Sequence, residues 1–291
     1  MQITIENSFL KLTVDTLGAQ MMALEGIGGT QYLWDGDPRY WKGRAPTLFP
    51  FIGRLNAQSY RLNGEDYSMG IHGFASKQEF AVQTREKDRL TLCLTENAQT
   101  LEQYPFAFRF SVTYALEGKR LNVGFRVENC TNQTMPFGIG GHPGFRVPLV
   151  RGERFEDYVL EFSKACRPDR VGFTEQVLLS GVDTLYPLED DRRIRLRHDL
   201  FDDDAIILKN MDRTVTLRSE KSGAGLTVSA PGMPYLGFWH MPKTDAPYIC
   251  IEPWSSLPAR QDVAEEFTCK SDLIQLEPRK TYETQWSVTI L

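Results

Sequence analysis

The feature that most restricts what this chain can fold into is a period of two in its apolar residues. Phe108, Phe110, Val112, Tyr114 and Leu116 alternate with more polar neighbours, Glu117-Gly118 offers a turn, and Leu121, Val123, Phe125 and Val127 resume the alternation. Side chains of a strand point to opposite faces in turn, so this pattern predicts a long hairpin with one buried face. Tyr60 and Leu62 lead into Asn63-Gly64, followed by Asp66-Tyr67. Asn-Gly suits the positive φ angles of a tight hairpin turn. Phe80 and Val82 face Leu90, Leu92 and Leu94 across a charged turn near Lys87-Asp88, and Trp286, Val288 and Ile290 alternate near the C-terminus. Helical signals are confined to Glu96–Tyr104, stopped by Pro105, and Gln261–Phe267. Many short strands with frequent turns predict an all-β fold, a large antiparallel β-sandwich.

The 291 residues contain no repeat, low-complexity stretch or linker, so residues 1–291 are expected to form one domain. The charged, loop-rich region Arg151–Asp204 gives no reason to cut there. A net charge of −5 argues against a nucleic-acid partner, which would call for a basic face. The N-terminus lacks the basic-then-apolar order of a signal peptide, and no run approaches the roughly 18 apolar residues of a membrane span. The expectation is a soluble cytoplasmic protein, a monomer or homodimer without membrane or nucleic-acid partners. Its five cysteines, an odd number without a C-x-x-C pair, are expected to be reduced and mostly buried.

Four segments interrupt the strand pattern with residues that carry chemistry. Arg54 sits in the apolar run Leu48-Phe-Pro-Phe-Ile-Gly-Arg-Leu-Asn56, where it needs either a structural ion pair or an oxygen-rich ligand. His72 lies between glycines in Gly70-Ile-His-Gly73, a setting that fits a loop histidine or a close approach to a ligand. His142 lies in Gly138-Ile-Gly-Gly-His-Pro-Gly-Phe145, where so many glycines beside one polar group imply tight geometry. Glu252, in Tyr248-Ile-Cys-Ile-Glu-Pro-Trp254, follows an apolar strand-like run, which fits either an exposed strand end or a buried carboxylate whose pKa desolvation would raise. Trp34, Trp41 and Trp254 are candidates for an aromatic platform or for core. His198 and His240 show no ligand spacing, so no metal site is expected.

Taken in this order, the four segments resemble the aldose 1-epimerase (galactose mutarotase-like) family. Arg54 is similar to the arginine of its G-R-x-x-N segment, and His72 to the histidine of its L-H-G segment. His142 matches the catalytic acid, and Glu252 the catalytic base. The family also uses an Asp on sugar hydroxyls, which Asp204, or next to it Asp203, resembles. Here the acid follows glycine rather than asparagine, and Asn56 is followed by Ala57 rather than arginine. With Tyr32-Leu-Trp-Asp-Gly-Asp-Pro38, these departures resemble the LacX-type branch of the family.

The resemblance implies interconversion of sugar anomers by ring opening and closure. A base takes the proton of the anomeric hydroxyl while an acid protonates the ring oxygen. Neither cofactor nor covalent intermediate is needed. Glu252 and His142 suit those roles at neutral pH, with Arg54, His72 and Asp204 holding the sugar. Two readings from other classes stand beside it: a carbohydrate-binding protein without catalysis, and a glycoside hydrolase, which would need two positioned carboxylates. The sugar is either free or a hexose 6-phosphate; Lys42, Arg44 and Arg146 are the basic residues that sequence offers for a phosphate.

Overall fold

The computed structural model describes residues 1–291. Two antiparallel sheets dominate. The larger has nine strands, with Thr281–Ile290 at its centre between Gly225–Ser229 and Arg120–Asn129. The predicted long hairpin lies in it as Phe108–Glu117 paired with Arg120–Asn129; Glu117 continues the strand and the turn is Gly118-Lys119. The smaller sheet has eight strands built around Tyr248–Trp254, flanked on one side by Tyr235–Trp239 and then Ile206–Lys209. On its other side Gly140–Gly141 and Gly144–Arg146 both pair with Tyr248–Trp254, and Thr47–Leu48 follows.

The two sheets are held face to face by aromatic contacts. Phe162 of the larger sheet meets Phe238 of the smaller at 6.3 Å, and Phe49 stacks on Phe110 at 4.7 Å. One continuous core cluster runs from Ile3 to Ile290 between and around them. The large antiparallel β-sandwich expected from the periodicity is thus the observed fold.

Asn63 and Gly64 take φ angles of 54° and 88°, as a tight Asn-Gly turn demands, between strands Ser59–Leu62 and Glu65–Ser68. Ala98–Gln103 is helical, started by Asn97, whose side chain accepts from the Thr100 N–H. The helix expected over Gln261–Phe267 does not form. Asp262 is left-handed (φ 57°), and the Phe267 N–H donates instead to the carbonyl of Arg61. Arg151–Asp204 is not merely a loop region: it supplies Tyr158–Phe162, paired on both sides within the larger sheet. All five cysteines are free as expected, but only Cys93 and Cys250 are buried; Cys130 and Cys166 are half-buried and Cys269 is exposed.

The strand Tyr248–Trp254 explains why its sequence is apolar almost throughout. Ile249 and Ile251 enter the core between the sheets. Tyr248, Cys250, Glu252 and Trp254 alternate with them and face outward, where two smaller apolar clusters cover the sheet. A strand buried on both faces shows no alternation in hydrophobicity. Its one acid, Glu252, therefore stands between two apolar patches.

Candidate active site

Strand register brings His142 and Glu252 together. Gly140 pairs with Trp254 and Gly144 with Cys250. The two pairings share one register, so the intervening His142 falls opposite Glu252. Directly opposed residues of antiparallel strands put their side chains on the same face. Nε2 of His142 lies 3.3 Å from Oε2 of Glu252. Gly237 continues the row on the far side of Glu252, and Ile207 follows it. Pro46 closes the near side, its carbonyl accepting from the His142 N–H at 3.0 Å.

Two glycines make room for this row. A Cβ on Gly140 would approach the Pro253 carbonyl oxygen to 2.6 Å, so only glycine lets the backbone come this near. A Cβ on Gly237 would sit 2.9 Å from Ile207 Cδ1 and 3.3 Å from Glu252 Cβ. The absence of a side chain there leaves room beside Glu252, whose Cδ would lie 3.7 Å from such a Cβ.

The row forms the floor of a pocket of about 420 Å³. Trp41 stacks on the His142 ring at 4.8 Å, and Trp239 meets its edge at 5.7 Å. Trp254 donates its indole N–H to Glu252 Oε2 at 3.2 Å. Burial pushes the Glu252 carboxyl well above the ordinary range, partly offset by the Trp254 hydrogen bond and reinforced by Asp204. Burial, with His72 nearby, also holds the His142 imidazole well below its ordinary value. His142 Nδ1 is buried without a partner. An imidazolium would leave that N–H unanswered, a second reason why charge is disfavoured on the free histidine. A raised carboxyl is a stronger base and a depressed imidazolium a stronger acid. Cys250 adds a sulfur, and His142, Cys250 and Glu252 bring three donor atoms within 4.8 Å of one another, the one such grouping able to hold a metal ion. Burial keeps that thiol well above its ordinary pKa and so protonated.

All five residues singled out in the sequence, His142, Glu252, Arg54, His72 and Asp204, line this one pocket. His72 sits edge-on to His142 at 5.5 Å. Its Nδ1 accepts the Gly53 N–H at 3.1 Å, so the proton of the neutral ring resides on Nε2. Burial and the Arg54 guanidinium hold His72 down to about 4, which keeps it a neutral donor. His72 and Asp204 are both left-handed, with φ of 61° and 77°. Residues held there at a pocket wall signal a constrained loop. Arg54 forms no side-chain ion pair or hydrogen bond, so the structural alternative considered for it does not hold. Asp204 faces the pocket, whereas Asp203 lines only the neighbouring cavity.

Other expectations are corrected. Lys42, Arg44 and Arg146 are outside the pocket: Arg44 Nη1 donates to the Met22 carbonyl at 2.6 Å, and Arg146 pairs with Asp35 at 3.6 Å. Trp34 is buried behind Trp41, to whose carbonyl its indole N–H donates. Sequence reasoning missed Trp239 and Lys77 in the lining. The one available signal for Lys77 was its position five residues after His72. His198 and His240 pair with each other at 3.2 Å away from this pocket.

A sheet face that sets a histidine against a buried glutamate, walled by tryptophans and edged with polar groups, forms the floor of one pocket. The sequence matches the family described as Aldose 1-epimerase over residues 1–268, and the chain belongs to that family. It is 37% identical to the chromosomal protein LacX of Lactococcus lactis subsp. lactis, over the whole of both chains. Among solved structures it is similar to a galactose mutarotase related enzyme from Lactobacillus acidophilus, with TM-score 0.95 and 34% identity, covering 100% of this chain and 97% of that one. A galactose mutarotase-like protein from Lactobacillus casei is similar too, with TM-score 0.93 and 31% identity over 100% of both.

Proposed function

We propose that this chain is an aldose 1-epimerase that interconverts the α and β anomers of a hexose or related sugar. The observation that carries the reading is the 3.3 Å approach of His142 Nε2 to Glu252 Oε2 on the pocket floor. The hydroxyl and ring oxygens of a cyclic hemiacetal share one carbon. An acid and a base that serve them must therefore stand side by side, as these two do.

The reaction starts from the state in which the pair's one proton lies on His142: Glu252 takes the proton of the anomeric hydroxyl and His142 gives its own to the ring oxygen. The C1–ring oxygen bond breaks and an open-chain aldehyde forms. Rotation about C1–C2 presents the other carbonyl face. On closure Glu252 returns its proton to the carbonyl oxygen while His142 recovers one from the attacking hydroxyl. The pair carries one transferable proton throughout, so its total protonation is unchanged by a turnover. The His72 Nε2–H and Arg54 donate to sugar oxygens, Asp204 accepts from hydroxyls, and Trp41, Trp239 and Trp254 exclude water.

The continuous core supports one domain over residues 1–291. No helix is long and apolar enough to cross a membrane. A cytoplasmic enzyme, monomeric or homodimeric, fits this reading. The test is anomer exchange on freshly dissolved sugars, followed by polarimetry or NMR. Sugar binding without accelerated exchange would favour a carbohydrate-binding protein, and release from a chromogenic glycoside would favour a hydrolase.

A further inference from the structure

The pocket's charges are unbalanced. Arg54 and Lys77 both line it, both are exposed at its mouth, and neither side chain has an ion pair or hydrogen bond within the protein. Three other basic residues around this face are committed, Arg44 to the Met22 carbonyl, Arg146 to Asp35 and Arg260 to Glu265, and Lys42 lies outside the pocket. Of the other titratable groups in the lining, His72 and His142 are held neutral by burial, and Glu252 is held toward its protonated form. Asp204 is then the one carboxylate charge set against two cations. This basic excess lies in a chain whose net charge is −5. A local field of opposite sign to the whole molecule is a device for drawing in a particular ligand.

Depth adds direction. Glu252 is 1% exposed at the floor, whereas Lys77 and Arg54 are open to solvent. A sugar whose anomeric carbon rests on the acid–base pair must direct its far end toward the mouth. Asp204 borders the neighbouring cavity, in whose lining neither Arg54 nor Lys77 takes part. Repulsion from Asp204 therefore favours an anion on the wall made by Gly53-Arg54 and Ile71–Lys77. Lys77 ends a short turn, Ala75–Lys77, anchored where the Ala75 N–H donates to the Phe49 carbonyl at 3.1 Å. Its position is thus set by the core rather than by a free loop.

We propose that the substrate is an anionic aldose, bearing a phosphate or carboxylate at the end away from its anomeric carbon, and that Lys77 with Arg54 is the specificity determinant that receives this group. The inference rests on the epimerase reading above. Arg54 offers a planar fork to two oxygens of the anion, and Lys77 a mobile point charge.

The experiment compares kcat/KM for anomer exchange on three probes: a free hexose, its 6-phosphate, and the corresponding 6-carboxylate. The wild-type protein should prefer at least one anionic sugar over the free hexose by about 10-fold or more, and Lys77→Met should lower that ratio about 10-fold, through KM. Higher efficiency on the 6-phosphate assigns the group as phosphate, and on the 6-carboxylate as carboxylate. Lys77→Glu, which keeps a charged surface residue, should lower the ratio further. Equal or better exchange with the free hexose overturns the proposal and leaves the epimerase reading standing. No exchange with any probe, but calorimetric binding of an anionic sugar that Lys77→Met weakens, overturns the epimerase reading and upholds the basic subsite. Neither exchange nor binding overturns both.

Discussion

His142 Nε2 and Glu252 Oε2 meet at 3.3 Å because a broken strand keeps one register across its break. Gly140–Gly141 and Gly144–Arg146 both follow Tyr248–Trp254, and across the break the alignment persists: the Ile251 N–H donates to the Pro143 carbonyl at 3.1 Å, and the His142 N–H to the Pro46 carbonyl at 3.0 Å. His142 is thereby held on both sides, by Pro46 through its backbone and opposite Glu252 by register. The contact depends on strand pairing and not on a flexible loop finding its place, which preorganises the two groups before a ligand arrives.

Replacing either partner isosterically should remove exchange and keep the fold. His142→Asn and Glu252→Gln are each expected to slow anomer exchange by about 10²-fold or more. Circular dichroism and thermal melts check that the sandwich is intact. Near-wild-type rates from both folded variants would refute the assignment.

The opposed shifts on the pair set the pH profile. The imidazole is held well below 6.5 and the carboxyl well above 4.5. The pair takes up a second proton only under more acidic conditions than an ordinary histidine would, and gives up its last only under more alkaline conditions than an ordinary glutamate would. We expect the acid limb of kcat/KM to lie below 6.5. Trp41→Ala should admit water to the stacked face of His142 and move that limb upward, because desolvation is the main cause of the depression. Profiles taken at constant ionic strength decide it; a wild-type limb at 6.5 that Trp41→Ala leaves in place would be incompatible with this origin.

Stability should fall as pH drops from 6.5 toward 4. His240 is fully buried, faces Met241 O through Nδ1 at 2.8 Å and His198 Nδ1 through Nε2, and is held down to about 4 by burial. Between 4 and 6.5 the unfolded chain binds a proton that the folded one refuses, so stability is lost as pH falls through this window. His240 alone accounts for about 3 kcal/mol of that loss when complete. His72 acts in the same direction. Glu252 acts in the opposite one: its raised carboxyl costs stability as pH rises above 4.5. Urea unfolding of wild type and His240→Asn at a series of pH values tests this, and the variant should show the shallower dependence. Parallel curves would exclude His240 as a source.

Filling the gap beside Glu252 should be felt in both rate and stability. Gly237→Ala places a methyl 2.9 Å from Ile207 Cδ1 and 3.3 Å from Glu252 Cβ. Overpacking of this kind costs about 1–3 kcal/mol, and displacement of the carboxyl should lower kcat about 10-fold or more. A melt combined with steady-state exchange rates measures both. An unshifted melt with an unchanged kcat would mean that the row tolerates bulk there.

The sequence by itself determined the fold class, because a period of two over ten-residue stretches such as Phe108–Glu117 is compatible only with half-buried strands. It also determined which residue types stood out. Glycines around His142 and an acid at the end of an apolar strand are visible as strings, since close backbone approach and double-sided burial restrict residue choice directly. Tertiary structure alone decided which of them meet. The opposition of His142 and Glu252 follows from a shared register between strands far apart in the chain, which no local pattern encodes. The same holds for the choice of Asp204 over Asp203, for Trp41 rather than Trp34 as the wall, and for Lys77 rather than Lys42, Arg44 or Arg146 at the mouth. A lysine on a turn looks the same in sequence whether it faces bulk water or a pocket; only the packing of Ala75–Lys77 onto Phe49 gives it a direction.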